Sequence, residues 1–221
     1  NIRLIDPETR DTDLDIAQRL VRFGDMQICR VAITIDSIQY ALDELEHYPF
    51  IRHTSVYSGI DEHGIYHAID CSWNRDSAHQ WTFIERKNTT PVSRSASPAG
   101  VDHVAIAVSS VEQWRTYYEQ LGFMVAYAPK NHIWGAHSGM KTVALRRGDW
   151  TVALVEGIDR EDSSQVNTYR IHHGEHAIQH AAIRFCDLQA AVTNLLSMGI
   201  QFRDRRAANL TNTQLTISDI I

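Results

Sequence analysis

The sequence predicts an α+β fold built from tandem β-α-β-β-β modules that form two open barrels. The first observation is a pattern that occurs three times, as Ile28-Cys29-Arg30-Val31-Ala32-Ile33-Thr34-Ile35, Val101-Asp102-His103-Val104-Ala105-Ile106-Ala107-Val108 and Ile178-Gln179-His180-Ala181-Ala182-Ile183-Arg184-Phe185. Arg30 and His103 are 73 residues apart and His103 and His180 are 77 apart, so one unit recurs. The second is that each run is rich in β-branched and alternating residues and is followed by a capped helical stretch. The third is a polar Lys87–Ala99 segment of Asn, Thr, Ser and Pro, which marks a linker between two halves.

The elements follow in order. After the first strand, Ser37 or Asp36 can cap a helix over Ile38–Leu45. Strand-like runs then cover Gly64–Ser72 and Gln80–Arg86. After the second strand, Ser109 or Ser110 can cap Val111–Gln120, with Gly122 as the stop. Met140–Arg146 and Trp150–Glu156 flank the turn Arg147-Gly148-Asp149 as a hairpin. After the third strand, Asp187 can cap Leu188–Met198, stopped by Gly199. The pair His172-His173 reads as part of a solvated turn, and His132 and His137 flank a loop. Residues 1–97 are expected to form an N-terminal non-catalytic module, and 98–221 a C-terminal catalytic domain.

Composition excludes several classes. A hydrophobic content of 43% and a charged content of 22% are globular values. A formal charge of −6 gives no basic footprint for nucleic acid or an anionic membrane. No apolar run approaches the roughly 18 residues of a membrane helix. Cys29, Cys71 and Cys186 are few and widely spaced, so they read as reduced thiols in a cytoplasmic setting. The sequons at Asn88 and Asn209 then carry no glycan. The chain opens on Asn1 without an initiator Met, so it is expected to be part of a longer protein. Homo-oligomerisation stays open.

The chemistry rests on His103 and His180, which occupy one position of the repeat. In strand alternation His103 shares its face with Ala105 and Ala107, and His180 with Ala182 and Arg184. Small neighbours leave space beside each imidazole. Two neutral imidazoles plus one carboxylate make the facial triad of non-haem Fe(II) oxygenases, with open positions for O₂ and a chelating substrate. The repeat offers carboxylates at Glu85, 55 residues after Arg30, and at Glu156, 53 after His103. The same spacing from His180 gives position 233, beyond Ile221, so the third ligand is expected outside this sequence. Glu156 as a substitute ligand is the alternative, and Glu85 reads as a structural acid. Arg30 stays protonated and cannot donate a lone pair, so the first module is expected to hold no metal.

Ser164-Gln165-Val166-Asn167-Thr168-Tyr169, His173-Gly174 and Ile178-Gln179-His180-Ala181-Ala182-Ile183 together resemble the second ligand segment of the 4-hydroxyphenylpyruvate dioxygenase and hydroxymandelate synthase family, within the vicinal-oxygen-chelate (glyoxalase-like) superfamily. Val101-Asp102-His103-Val104 is similar to its first ligand strand, and Ser138-Gly139-Met140-Lys141-Thr142-Val143 to the strand that follows. Arg22-Phe23-Gly24-Asp25 and Thr82-Phe83-Ile84-Glu85-Arg86-Lys87 resemble its non-catalytic half. The resemblance covers nearly the whole chain, as the last three of four modules with the fourth cut short. It implies Fe(II) held by His103, His180 and a later glutamate. It further implies oxidative decarboxylation of a 2-oxo acid, an aryl- or alkyl-pyruvate, with O₂, in aromatic amino acid catabolism. Gln179 and Thr142 would match substrate-pocket positions, although alternation puts Gln179 opposite His180. Val155-Glu156-Gly157-Ile158-Asp159 lacks the family's proline and asparagine, which leaves the substrate open. An extradiol ring-cleaving dioxygenase and a non-catalytic relative of the fold are the rival readings.

Overall fold

The computed structural model describes residues 28–61, 64–73, 77–86, 98–130, 132–134 and 137–200. The first module runs β1 (Arg30–Ile35), α1 (Ile38–Leu45), β2 (Ile51–His53), β3 (Tyr57–Asp61), β4 (Gly64–Trp73) and β5 (Gln80–Arg86). The second runs β6 (Pro98–Val108), α2 (Val111–Gln120), β7 (Met124–Tyr127), β8 (Ile133–Trp134), β9 (Gly139–Arg147) and β10 (Trp150–Ile158). Then come α3 (Gln165–His173), β11 (Ala177–Phe185) and α4 (Leu188–Ser197). The expected repeat is therefore present twice, and its third copy begins with β11 and α4.

Both sheets have the same order. The first is β1-β5-β4-β2 with β3 also on β4, and the second is β11-β6-β10-β9-β7 with β8 also on β9. In each, the first strand of the module lies parallel to its last, because the intervening helix carries the chain back over the sheet. The β9–β10, β2–β4, β3–β4, β4–β5, β7–β9 and β8–β9 pairs are antiparallel. The third copy joins the second through its first strand, so the two histidine-bearing strands are neighbours.

Local chemistry explains the helix ends. Ser37 Oγ accepts from Tyr40 N, Ser110 Oγ from Gln113 N, and Asp187 Oδ1 from Ala190 N. Each satisfies a backbone donor that the first helical turn leaves without an intrahelical acceptor. Gly122 takes φ +81° where α2 ends, a conformation that costs glycine little.

Contacts divide the chain into two units, residues 1–91 with 102–182 and residues 92–101 with 183–221. In the first unit, Val104, Ile106 and Val108 of β6, Val143 and Leu145 of β9, and Val152 and Leu154 of β10 are buried on one face. Val111, Trp114 and Tyr118 of α2 cover them, and Ile69, Trp73 and Trp81 from the first module join the same core. Trp73 meets Trp114 and Trp81 edge-on, at 5.3 Å between centroids in both pairs. In the second unit, α4 follows the end of β11 and begins at its Asp187 cap.

Some expectations are corrected. His172 and His173 end the helix α3 and do not sit in a turn. β6 begins at Pro98, so the last two residues of the expected linker are strand, while 87–97 lie outside the described residues. The short strands β2, β3, β7 and β8 carry no alternation that a sequence pattern could pick out.

Candidate metal centre

The face of the second sheet opposite the main core carries the histidines. Ala105 of β6 pairs with Ala153 of β10, and Ala107 with Val155. Across β10, Ala153 pairs with Ala144, Val155 with Thr142, Gly157 with Met140 and Thr151 with Arg146. Paired residues share a face, so His103, Thr142, Ala144, Arg146, Thr151 and Ala153 all stand on it. At one end Ala105, Ala107 and Val155 are covered by Val166 and Tyr169 of α3 together with Met140. The other end carries His103, Thr151 and Arg146.

His103 and His180 come together although 77 residues separate them, with ring centroids 5.7 Å apart at 75°. Taking about 2.1 Å for a metal–nitrogen bond and roughly 1.1 Å more to the ring centre, two imidazoles on one ion have centroids roughly 4.6 to 5.6 Å apart for ligand angles of about 90 to 120°. The observed 5.7 Å lies just beyond the wide-angle end of that span. His103 Nδ1 is 3.0 Å from Asp102 Oδ1. With the proton on Nδ1, His103 donates to the carboxylate and Nε2 keeps its lone pair outward, the arrangement that orients many metal-binding histidines. Burial, and then the neighbouring His103, hold the His180 imidazole below its ordinary pKa of 6.5. A depressed pKa keeps the ring neutral, and a neutral ring is what a cation needs. These residues fit the two-nitrogen part of a facial iron site. Among the described residues, no group of three His, Cys, Asp or Glu side chains could hold a metal ion.

Glu156 does not join the histidines. It pairs with Val108, on the core face of the sheet, and its Oε2 accepts from Val111 N at 2.7 Å. Glu85 does the same in the first module, accepting from Ile38 N at 2.8 Å. Both repeat carboxylates tie the last strand of a module to the first helical turn, where an anion also meets the positive end of the helix dipole. Glu156 as substitute ligand is thereby corrected. The spacing argument for position 233 loses its ground as well, since an equivalent residue would cap α4. Arg30, at the histidine position of the first module, reaches Gln80 Oε1 at 3.3 Å and Asp70 Oδ2 at 3.6 Å.

Thr142 stands on the histidine face through its pairing with Val155. Gln179 is half-buried in β11, and the strand period keeps it off the face that His180 uses. Sequence reasoning missed three residues here. Asp102 was signalled only by its place beside His103. Arg146 Nε donates to Thr151 Oγ1 at 3.1 Å on the histidine face. Glu175 secures the approach to β11: its Oε1 accepts from Ser109 N, Ser109 Oγ and Trp114 Nε1, and its Oε2 from Arg170. No helix among the described residues is long and apolar enough to cross a membrane.

The chain shares its fold with a triple-substituted 4-hydroxymandelate synthase from Streptomyces coelicolor at TM-score 0.65 and 18% identity, over 90% of this chain and 61% of that one. It thus spans less than two thirds of that enzyme's length. Weaker likenesses include methylmalonyl-CoA epimerase from Mycobacterium tuberculosis, at TM-score 0.39 and 24% identity over 50% of this chain and 71% of that one. Another is a glyoxalase family protein from Bacillus cereus, at TM-score 0.40 and 12% identity over 60% and 95%. Among curated proteins none matches the sequence. Residues 102–214, half of the chain and the part that holds both histidines, match the family described as Glyoxalase/Bleomycin resistance protein/Dioxygenase superfamily, and the protein belongs to that superfamily.

Proposed function

We propose that this chain is part of a non-haem iron dioxygenase acting on a 2-oxo acid, with His103 and His180 as two of the iron ligands. The observation that carries the reading is the meeting of these rings at 5.7 Å on the sheet face opposite the main core. The fold shared with 4-hydroxymandelate synthase supports it. Residues 98–221 supply the catalytic half, and 1–97 the supporting module.

When bound, Fe(II) would be held in part by His103 and His180 and would supply the redox chemistry that turns O₂ on a 2-oxo acid. In the balanced reaction one oxygen atom enters the carboxylate that replaces the 2-oxo acid group, CO₂ leaves, and the other oxygen oxidises the rest of the same molecule. The residues of the chain orient and exclude. Asp102 would hold the His103 proton on Nδ1 and leave the Nε2 lone pair for the metal. The low proton affinity of His180 keeps its lone pair available. Ala105, Ala107, Val155, Val166 and Tyr169 close one end of the face to water. Thr142, on the same face, would offer its hydroxyl to a substrate oxygen.

The test uses full-length protein loaded anaerobically with Fe(II), in wild type, His103→Ala and His180→Ala. O₂ uptake and CO₂ release are followed with a panel of 2-oxo acids and, separately, of catechols. The expected result is stoichiometric iron binding by wild type, loss in both variants, and CO₂ matched to O₂ consumed. O₂ uptake with catechols and no CO₂ would select an extradiol enzyme. Iron binding unchanged by both substitutions would end the assignment.

A further inference from the structure

Arg146 stands out on the histidine face. It is exposed, it pairs across the sheet with Thr151, and its Nε donates to the Thr151 hydroxyl at 3.1 Å. Continuing the β6–β10 register by one residue from Val104–Val152 sets Thr151 level with His103. His103, Thr151 and Arg146 therefore form one row across three strands. The hydrogen bond to Thr151 lays the arginine arm along that row, towards the histidine. Lys141, Arg147 and Arg170 each have a carboxylate partner, Glu112, Glu44 and Glu175 in turn. Arg146 forms no such pair among the described residues. A guanidinium without a carboxylate, on the face that carries the histidines, is available to a ligand.

Distance selects the ligand. Neighbouring strands are about 4.8 Å apart, so Arg146 is rooted about 10 Å from the His103 strand and its head lies roughly one strand from it. The point that the imidazoles share lies beyond His103, towards β11. An anion meeting Arg146 is thus several bonds away from the atoms held at the histidines. We propose that Arg146 is a specificity-determining residue that binds a second anionic group, a carboxylate, at the far end of the substrate. The preferred substrate class is then a 2-oxo acid with a distal carboxylate. This rests on the 2-oxo acid reading above.

The probes are 2-oxoadipate and 2-oxohexanoate, which have equal chain lengths and differ in a terminal carboxylate against a methyl group. Binding to the full-length, Fe(II)-loaded protein without O₂ is measured calorimetrically for wild type, Arg146→Met and Arg146→Lys, with thermal melts as the folding control. A charge-assisted pair predicts that wild type prefers 2-oxoadipate by about tenfold or more. Arg146→Met should bring the two affinities to within about twofold while leaving 2-oxohexanoate unchanged, and Arg146→Lys should keep part of the preference. Equal affinity of both acids for wild type would overturn the role of Arg146 and leave the 2-oxo acid reading standing. Failure of both acids to bind would overturn both. A preference that survives Arg146→Met would place the anion site elsewhere.

Discussion

Replacing Glu156 separates a helix cap from a metal ligand, because the two roles predict opposite results. Its carboxylate accepts from Val111 N at 2.7 Å, at the first residue of α2. A hydrogen bond to a charged group contributes about 1.5–3 kcal/mol, and an anion at a helix N-terminus about 0.3–1 kcal/mol. Ser110 also caps this turn through Gln113 N, and Glu156 is only half-buried, so the lower end applies. Glu156→Ala should cost about 2 kcal/mol. Glu156→Gln keeps an acceptor and loses the charge, at about 1 kcal/mol. For a chain of 221 residues, melting should fall by about 4–8 °C and 2–4 °C respectively. Glu85→Gln, at the equivalent cap on Ile38 N, should behave as Glu156→Gln does. The assay is a thermal melt together with an Fe(II) titration of the full-length protein. Unchanged melting with a tenfold loss of iron affinity in Glu156→Gln would refute the cap and restore Glu156 as a ligand.

The remaining predictions concern the ground around the histidines. Asp102→Asn should weaken Fe(II) binding by about tenfold or more without a matching loss of stability, since an orienting partner is removed while the fold is kept; a metal titration checks it. Gly157→Ala should destabilise by about 1–3 kcal/mol, because a Cβ there would sit 2.6 Å from Ser164 Oγ and 2.8 Å from the Asn167 side chain; a denaturant titration reads it. Asp159 accepts from Ser164 N and from Asn167 Nδ2, and these bonds, in that order, hold its carboxyl below the ordinary 3.8. A depressed carboxylate pKa contributes stability above the ordinary value and loses it as pH falls through the folded one. Amide protection factors at Ser164–Asn167, corrected for intrinsic exchange, should therefore fall below about pH 4, and protection constant to the acid limit of folding would count against this role of Asp159.

What the sequence disclosed depended on whether a feature repeats locally or is settled by register. The three strand-and-helix copies share an apolar pattern and a capping residue, so Ser110 and Asp187 were legible as caps and His103 and His180 as equivalents. Helix α3 was not, because Gln165–His173 mixes β-branched, aromatic and histidine residues with little amphipathic order. β7 was hidden for a related reason, since all four of its residues are exposed. Glu156 shows the limit most clearly. Its repeat spacing was correct, and the alternative that made it a ligand fails because it stands on the core face. Whether a residue of β10 faces the histidines depends on the parallel register Val152–Val104, which no spacing along one chain contains. One residue either way, at Val155 or Gly157, would have reached the other face.

The register argument also explains why the first module, which lacks the histidine pair, matters to the site. β11 must lie beside β6 for His180 to meet His103, and the residues that bring it there are held from the other module. Ala78 N donates to Glu175 O at 3.0 Å, and the His79 ring Nδ1 lies 2.7 Å from His176 O. Ser77 Oγ lies 3.1 Å from His176 Nδ1, and Ile28 makes an antiparallel bridge to Ile178. His176 takes φ +60°, an uncommon conformation for a residue with a Cβ, and its ring stacks on Trp114 at 3.7 Å while Tyr118 OH meets its Nε2 at 3.1 Å. Backbone strain of this kind persists only where the surroundings over-determine it. Here the surroundings come from both modules, through Ser77 and His79 on one side and Trp114 and Tyr118 on the other. The module with Arg30 in the histidine position thus serves as the template that sets where β11 begins, at Ala177, three residues before His180.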